Sequence, residues 1–180
     1  MKSMSRRYLL TATMLGGLTL AAGSAALADS GTIKVGILHS LSGPMALSET
    51  SLKDMALFTI DDINAKGGVG GQKIELISMD DKFEPKLAAE NARKLIEEKN
   101  VVALFLTRGT PHTEAVIPWL DKYGVPLVGP SSGAMVLHKP VQKHIFNVRA
   151  TYQREAEKAV THLNSMGITK IAMIYADDSF

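Results

Sequence analysis

The sequence contains no cysteine among its 180 residues. Disulfide bonds and thiolate metal sites are therefore excluded, and so is a lipid anchor attached to an N-terminal cysteine. A chain without disulfides must be stabilised by its hydrophobic core alone, and a domain of about 150 residues can bury enough surface to achieve this.

A surplus of basic charge is also absent once the first 28 residues are set aside. Those residues hold three of the 20 basic side chains and none of the 18 acidic ones. The remainder carries 17 basic and 18 acidic side chains, a net charge of −1 with histidine neutral. Without a basic surface, the composition does not indicate binding to nucleic acid or to an anionic membrane.

Two common cofactor signatures are missing as well. The five histidines show no H-E-x-x-H or other paired spacing, so no metal site is predicted. The glycine cluster at residues 67–71 lacks the G-x-G-x-x-G spacing and precedes a predicted strand, whereas a dinucleotide fingerprint follows one. We predict a helix stop and a turn at this cluster, and no cofactor.

The first 28 residues have the pattern of a signal peptide. A basic start is followed by a mostly apolar stretch at residues 8–22 and by an A-x-A cleavage site that ends at Ala28. A membrane anchor, the alternative, would need about 20 apolar residues, more than this stretch provides. We expect export and cleavage after Ala28, by the general or the twin-arginine route, because two adjacent arginines are compatible with both.

Apolar runs alternate with amphipathic segments along the rest of the chain. Strict alternation of strands and helices predicts a doubly wound α/β fold, with a parallel sheet and helices on both faces. Thr110 before Pro111 is expected to cap a helix. We expect the sequence to stop inside a second lobe, because no helix follows its last strand. The predicted strands lie at residues 33–38, 73–80, 101–106, 125–128, 145–149 and 170–175.

Small polar groups follow several of these strands, most of them hydroxyls. The loops after parallel strands meet at the carboxyl edge of the sheet, where α/β folds bind ligands. Hydroxyls and backbone amides can hold a small anion or an amide, but without a paired base they cannot break a bond. We predict one wall of a small-molecule cleft. Its candidate residues are Ser40, Ser42, Ser48, Thr107, Arg108, Thr110, Ser131, Ser132 and Gly133.

One segment allows an enzymatic interpretation. Residues 129–133 (GPSSG) match the G-x-S-x-G pattern of a hydrolase nucleophile elbow, with Ser131 as the nucleophile. The elbow requires a helix directly afterwards, for which residues 135–140 leave little room, and no histidine follows the acidic pair at residues 177–178. The other interpretation is a turn or a ligand-facing loop. We predict binding without catalysis.

Titratable side chains near the loops also have two interpretations. The pairs Asp80-Asp81 and 177–178 could be catalytic carboxylates, or acids at strand ends that face water or cap the next helix. His39 and His112 could contact a ligand, or could be satisfied by neighbouring backbone groups. We favour the second interpretation in each case.

Three segments together resemble the leucine/isoleucine/valine-binding family of periplasmic binding proteins, which includes urea and short-chain amide binders. They are residues 35–44 (VGILHSLSGP), 62–71 (DINAKGGVGG) and 124–130 (GVPLVGP). The resemblance implies a monomeric, two-lobed receptor in the periplasm that delivers a solute to the permease of an ABC transporter. It places an N-terminal ligand-binding lobe at residues 29–149 and the start of a second lobe at 150–180. A ligand-sensing receptor or regulator of the same fold is the alternative.

The resemblance also implies roles for individual residues of the first lobe. Ser48 occupies a position where the first helix touches ligand. Thr110 stands where a serine or threonine holds a ligand carboxylate, and Ser131 with Gly133 stands where that grip is completed.

The opposite wall and the ligand class follow from the same resemblance. Phe180 would be an aromatic lid, and Tyr152 lies near the place where an acidic side chain meets the ammonium of amino-acid ligands. No clear carboxylate is present there, and Arg108 adds a guanidinium. A buried Arg108 would favour a ligand carboxylate through two hydrogen bonds. An Arg108 that points to solvent would not indicate any ligand class. We expect an organic acid, an amide or a branched-chain amino acid as ligand.

Overall fold

The computed structural model describes residues 31–175, 177 and 179. The predicted signal peptide and Phe180 therefore lie outside the described residues. Five parallel strands form one sheet in the order β2-β1-β3-β4-β5. The strands are β1 (Ile33–His39), β2 (Ile74–Asp80), β3 (Ala103–Phe105), β4 (Leu127–Val128) and β5 (Ile145–Phe146).

Four α-helices connect or follow the strands, and their positions confirm the predicted α/β alternation. In the described part of the chain, none of them is both long and apolar enough to span a membrane. A short 3₁₀ helix, Met135–Leu137, lies between β4 and β5. The helices are α1 (Ala46–Ala65), α2 (Pro85–Glu97), α3 (Thr110–Tyr123) and α4 (Tyr152–Ser165).

The strand order places helices on both faces of the sheet. The chain moves one way from β1 to β2 and the opposite way from β2 to β3 and on to β5. Because crossovers between parallel strands are right-handed, α1 covers one face while α2 and α3 cover the other. Alternation along β1 agrees with this: Gly36 and Leu38 face α2, whereas Val35, Ile37 and His39 face α1.

The hydrophobic core lies on the α2 and α3 face. The apolar side chains of α2 are buried there, and Leu95 would touch a Cβ placed on Gly36 of β1. Gly36 therefore lets helix and sheet approach closely. Glycine also ends α3 as predicted, since Gly124 adopts a φ of 66°. On the opposite face α1 packs loosely, and Glu49 is its one fully buried residue.

Two sequence predictions are wrong. The strand expected at residues 170–175 does not form: described residues 170–175 are exposed and belong to no strand. A strand is stable only beside a partner, because its backbone groups need hydrogen bonds from a neighbour. Thr110 is the first residue of α3 and not its cap, a position held by Gly109 with a φ of 83° and a ψ of 137°.

Candidate functional site

The polar loops converge where the order of the sheet reverses. β1 lies between β2 and β3, and the chains leaving β1 and β3 turn to opposite faces of the sheet. Such a switch point opens a crevice at the carboxyl ends of the strands. The loops that border it are residues 40–45 after β1, 106–109 after β3 and 129–134 after β4.

The loop after β1 is held by two carboxylates from the end of β2. Ser42 Oγ donates to Asp80 Oδ2 at 2.6 Å, and the amide of Leu41 donates to Asp80 Oδ1 at 2.8 Å. Ser40 Oγ donates to Asp81 Oδ1 at 2.6 Å. The register of the sheet makes this possible, because His39 pairs with Asp80.

The two carboxylates differ in their surroundings. Asp81 is 1% exposed, and the residue at the N-cap of α2 is Glu84, so Asp81 neither faces water nor caps the next helix as expected. Burial alone would raise the pKa of Asp80, but hydrogen bonds from Ser42 Oγ and from the amides of Lys82, Leu41 and Ser42 outweigh it and lower that pKa. Asp80 is therefore a stable anion that fixes the loop.

The loop after β3 is fastened to the start of α3 by hydroxyl groups. Thr107 Oγ1 lies 3.0 Å from Thr113 Oγ1, which donates to the carbonyl of Gly109 at 2.8 Å. A Cβ on Gly109 would stand 2.6 Å from His112 Nδ1, so only glycine fits there without displacement. The loop is rigidly built.

His112 does not behave as expected. It is 4% exposed, and neither ring nitrogen has a hydrogen-bond partner among the described residues. Its ring stacks on Phe83 with 4.5 Å between centroids. The predicted satisfaction by backbone holds for one nitrogen of His39, whose Nδ1 lies 3.2 Å from the carbonyl oxygen of Glu49, but not for its Nε2 or for either nitrogen of His112.

The loop after β4 joins that of β3. The amide of Ser131 donates to the carbonyl of Thr107 at 2.7 Å, and Ser131 forms a parallel bridge with Arg108. Thr110 Oγ1 lies 2.8 Å from Ser132 Oγ, and both side chains are fully buried. The structure thus brings together five of the predicted site residues, although the hydroxyls of Thr110 and Ser132 satisfy each other.

The three loops at residues 40–45, 106–109 and 129–134 form the rim of the crevice. Gly133 connects this rim to α4. Its carbonyl accepts the amide of Tyr152 at 2.8 Å. A Cβ on Gly133 would lie 2.7 Å from the carbonyl oxygen of Ala150, so the close approach requires glycine. Ser131 is followed by coil and the short 3₁₀ helix, which is not the strand-turn-helix geometry of a nucleophile elbow.

Ser48 and Tyr152 lie at the margins of the rim. Ser48 is exposed, and its hydroxyl donates to the carbonyl of Met45 at 3.1 Å. The ring of Tyr152 stands 5.0 Å from the guanidinium carbon of Arg149, which forms an ion pair with Glu155 at 2.6 Å. The acidic group nearest to Tyr152 in sequence is thus already paired with an arginine.

Sequence reasoning missed Glu49, the acidic residue behind the rim. It is 0% exposed; its Oε1 lies 2.9 Å from Arg108 Nε and its Oε2 lies 3.0 Å from His39 Nδ1. Neither carboxylate oxygen makes a well-aligned hydrogen bond to a described residue. Burial raises the pKa of Glu49, an effect that Arg108 opposes and Asp81 reinforces.

Arg108 fits neither of the two arrangements considered from the sequence. Its side chain is 32% exposed, so it is neither buried nor free in solvent, and Glu49 is its one ionic partner among the described residues. Beside it, burial lowers the pKa of His39, which favours a neutral imidazole at pH 7. An acid in the first turn of a helix usually just complements the helix dipole, so the sequence offered no distinct signal for this pair.

An apolar cavity of about 450 Å³ lies between α1 and the sheet. It belongs to the face opposite α2 and α3, and its lining includes Val35, Met55, Ile60, Phe105 and Val128. None of the polar rim residues lines it. Within the described residues, no group of three or more histidine and acidic side chains is placed to hold a metal ion.

Comparison with known proteins agrees with this architecture. A family model described as periplasmic binding protein matches residues 32–180. The Leu/Ile/Val-binding protein homolog 7 of Brucella suis biovar 1 is 30% identical over 162 residues, which is 84% of this chain and 40% of that protein. The chain therefore spans about 40% of the length of this relative.

Two solved structures relate the fold to small-molecule binding. The branched-chain amino acid transporter substrate binding protein LivJ of Streptococcus pneumoniae, in complex with isoleucine, is 32% identical with a TM-score of 0.63, over 67% of this chain and 34% of that one. An ABC transporter solute binding protein of R. palustris, in complex with 4-hydroxybenzoate, is 27% identical with a TM-score of 0.65, over 76% of this chain and 37% of that one. The chain therefore belongs to the periplasmic binding protein family that includes the Leu/Ile/Val-binding proteins.

Proposed function

We propose that this chain supplies one wall of a substrate-binding protein that captures a small solute between two lobes and delivers it to the permease subunits of an ABC transporter. The protein would be exported to the periplasm, cleaved after Ala28, and act as a monomer. Its first lobe would be residues 29–149, and residues 150–180 would begin the second.

One observation carries this proposal. The loops after β1, β3 and β4 end at the same edge of the sheet and meet at its switch point, with hydroxyls, backbone amides and one half-exposed guanidinium. Such a rim can hold a solute through hydrogen bonds. Ser131, the nucleophile considered from the sequence, is not followed by the helix of a nucleophile elbow, which is consistent with capture and release in place of turnover.

The solute class is proposed in the same terms. The solved relatives hold isoleucine and 4-hydroxybenzoate, both small molecules with a carboxylate. An organic acid, an amide or a branched-chain amino acid would each present an oxygen acceptor to the donors of this rim. We propose that Ser42, Ser48, Arg108 and the loop at residues 129–133 contribute to the site, together with Thr110 through its backbone.

Two further contacts are proposed from the second wall. Tyr152 would approach the solute from the start of α4, where Gly133 holds its amide. Phe180, outside the described residues, would close the cleft as an aromatic lid.

Native mass spectrometry of the protein isolated gently from its cell envelope tests the proposal. We expect a species heavier than the mature chain by the mass of one small solute, and loss of that mass on mild activation. Denatured protein from the same preparation is the control for covalent modification. A preparation that carries no solute and binds none from a panel of organic acids, amides and amino acids would contradict the proposal.

A further inference from the structure

Glu49 has a placement that needs an electrostatic explanation. Its carboxylate is fully buried, and its two oxygens lack well-aligned hydrogen bonds to the described residues. A buried carboxylate in that condition is costly unless an opposite charge compensates it. Arg108 Nε at 2.9 Å provides that charge, since a guanidinium remains protonated at all relevant pH values.

Among the described residues that face Glu49, Arg108 is the one cation. From β1 comes His39, which burial keeps neutral; from the end of β2 comes Asp81, a second buried acid; and from the loop after β3 comes Arg108. Glu49 thus pairs with the positive charge of Arg108. Asp81 is a second carboxylate in the same surroundings. An anion that approaches Arg108 therefore meets a guanidinium that is already paired with Glu49.

The guanidinium nevertheless keeps unused donors. Glu49 contacts Arg108 through Nε, on one edge of the planar group, and a third of the side chain is exposed. The terminal Nη groups form another edge with hydrogen-bond donors of its own. Arg108 can therefore donate to a ligand oxygen while its charge is already balanced.

We propose that Glu49 is a specificity-determining residue of the cleft: by pairing with Arg108 it holds the guanidinium as a hydrogen-bond donor for neutral acceptors and disfavours the binding of small free anions. This inference rests on the proposed function and narrows its solute classes, because it favours an amide or a zwitterionic amino acid over a free organic acid in the same cleft. Glu49 acts through Arg108 and does not itself need to touch the solute.

Nitrate is a suitable probe, because it is planar like a carboxylate and stays ionised across the accessible pH range. The readout is the ¹⁵Nε–Hε resonance of Arg108 in the folded protein, assigned by its loss in Arg108→Lys. In the wild type we expect this resonance to respond to nitrate more weakly than that of Arg154, an exposed arginine without an ionic partner among the described residues.

Glu49→Gln keeps the shape of the side chain and removes its charge. We expect the apparent affinity of Arg108 for nitrate to rise about tenfold or more, the effect of removing one nearby like charge from the anion's surroundings. Glu97→Gln is the matched control, because Glu97 forms an ion pair with Arg93 at 2.6 Å on the surface of α2, and it should leave the response of Arg108 unchanged.

Two results would overturn the inference. One is a wild-type Arg108 that responds to nitrate as strongly as Arg154, a comparison that does not require the Glu49→Gln variant to fold. The other is a folded Glu49→Gln protein with unchanged nitrate affinity. Neither result depends on a co-purified solute, so failure here is distinct from failure of the proposed function.

Discussion

At the scale of single residues, the carboxylates behind the rim determine how its hydroxyl groups are oriented. Asp80 receives Ser42 Oγ at 2.6 Å and the amides of Leu41 and Lys82 at 2.8 and 2.9 Å. Hydrogen bonds to an ionised group are about twice as strong as those between neutral groups. The loop after β1 should therefore depend on the charge of one side chain.

This dependence predicts how stability varies with pH. Because the pKa of Asp80 is lower in the folded than in the unfolded chain, its contribution is fully present above the unfolded pKa of 3.8 and is lost as pH falls through the folded value. Asp80→Asn should cost about 1–3 kcal/mol at neutral pH and should make unfolding less sensitive to acid below pH 3.8.

Urea unfolding followed through Trp119, the one tryptophan of the sequence, measures this effect across pH. Asp61→Asn serves as control, since Asp61 is exposed on α1 and forms no ion pair among the described residues. Equal acid sensitivity of the two variants would show that Asp80 is not the anchor of this loop.

The individual residues of the rim were only partly predictable. Hydroxyl and glycine residues after strands correctly indicated which loops lie together, because the loops after parallel strands meet at one edge of the sheet. The sequence could not indicate which hydroxyls are satisfied internally, as in the pair of Thr110 and Ser132, or that Glu49 would lie behind Arg108. Those facts depend on contacts between residues 22 and 59 positions apart in the chain.

At the scale of elements, the helices on the two faces of the sheet contribute unequally to stability. The apolar residues of α2 are buried against β1 and α3, whereas α1 exposes Met55 (67%) and Phe58 (77%). The amphipathic patterning of the sequence does not distinguish the two helices. The asymmetry arises because α1 borders the apolar cavity and has few neighbours to pack against.

A pair of alanine substitutions tests this asymmetry. Leu95→Ala in α2 removes a side chain that is 0% exposed and should cost about 2–5 kcal/mol in the free energy of unfolding. Met55→Ala in α1 should cost less than about 0.5 kcal/mol, because that side chain is mostly exposed. Chemical denaturation of both variants measures the difference, and similar losses would contradict the described packing.

Several strands are shorter in the structure than the apolar runs that predicted them. The runs at residues 101–106 and 125–128 shortened to β3 and β4, with three and two paired residues. Apolar composition marks burial, but the length of a strand is set by the neighbour it pairs with. The missing strand at residues 170–175 has the same cause, since it has no partner among the described residues.

At the scale of the whole molecule, the fold class could be predicted from the alternation of strands and helices. The family could be predicted from the three segments that resemble it. The ligand was not, because selectivity depends on the charge balance around Arg108 and on an opposing wall. The central claim is that the loops after β1, β3 and β4 together hold a solute.

Amide hydrogen exchange, measured with and without the solute that co-purifies with the protein, tests this claim most directly. Our account predicts slower exchange on solute binding in the three rim loops, at residues 40–45, 106–109 and 129–134, with little change along the exposed face of α1 beyond its first turn. Protection confined to the residues that line the apolar cavity, with the rim loops unaffected, would contradict it.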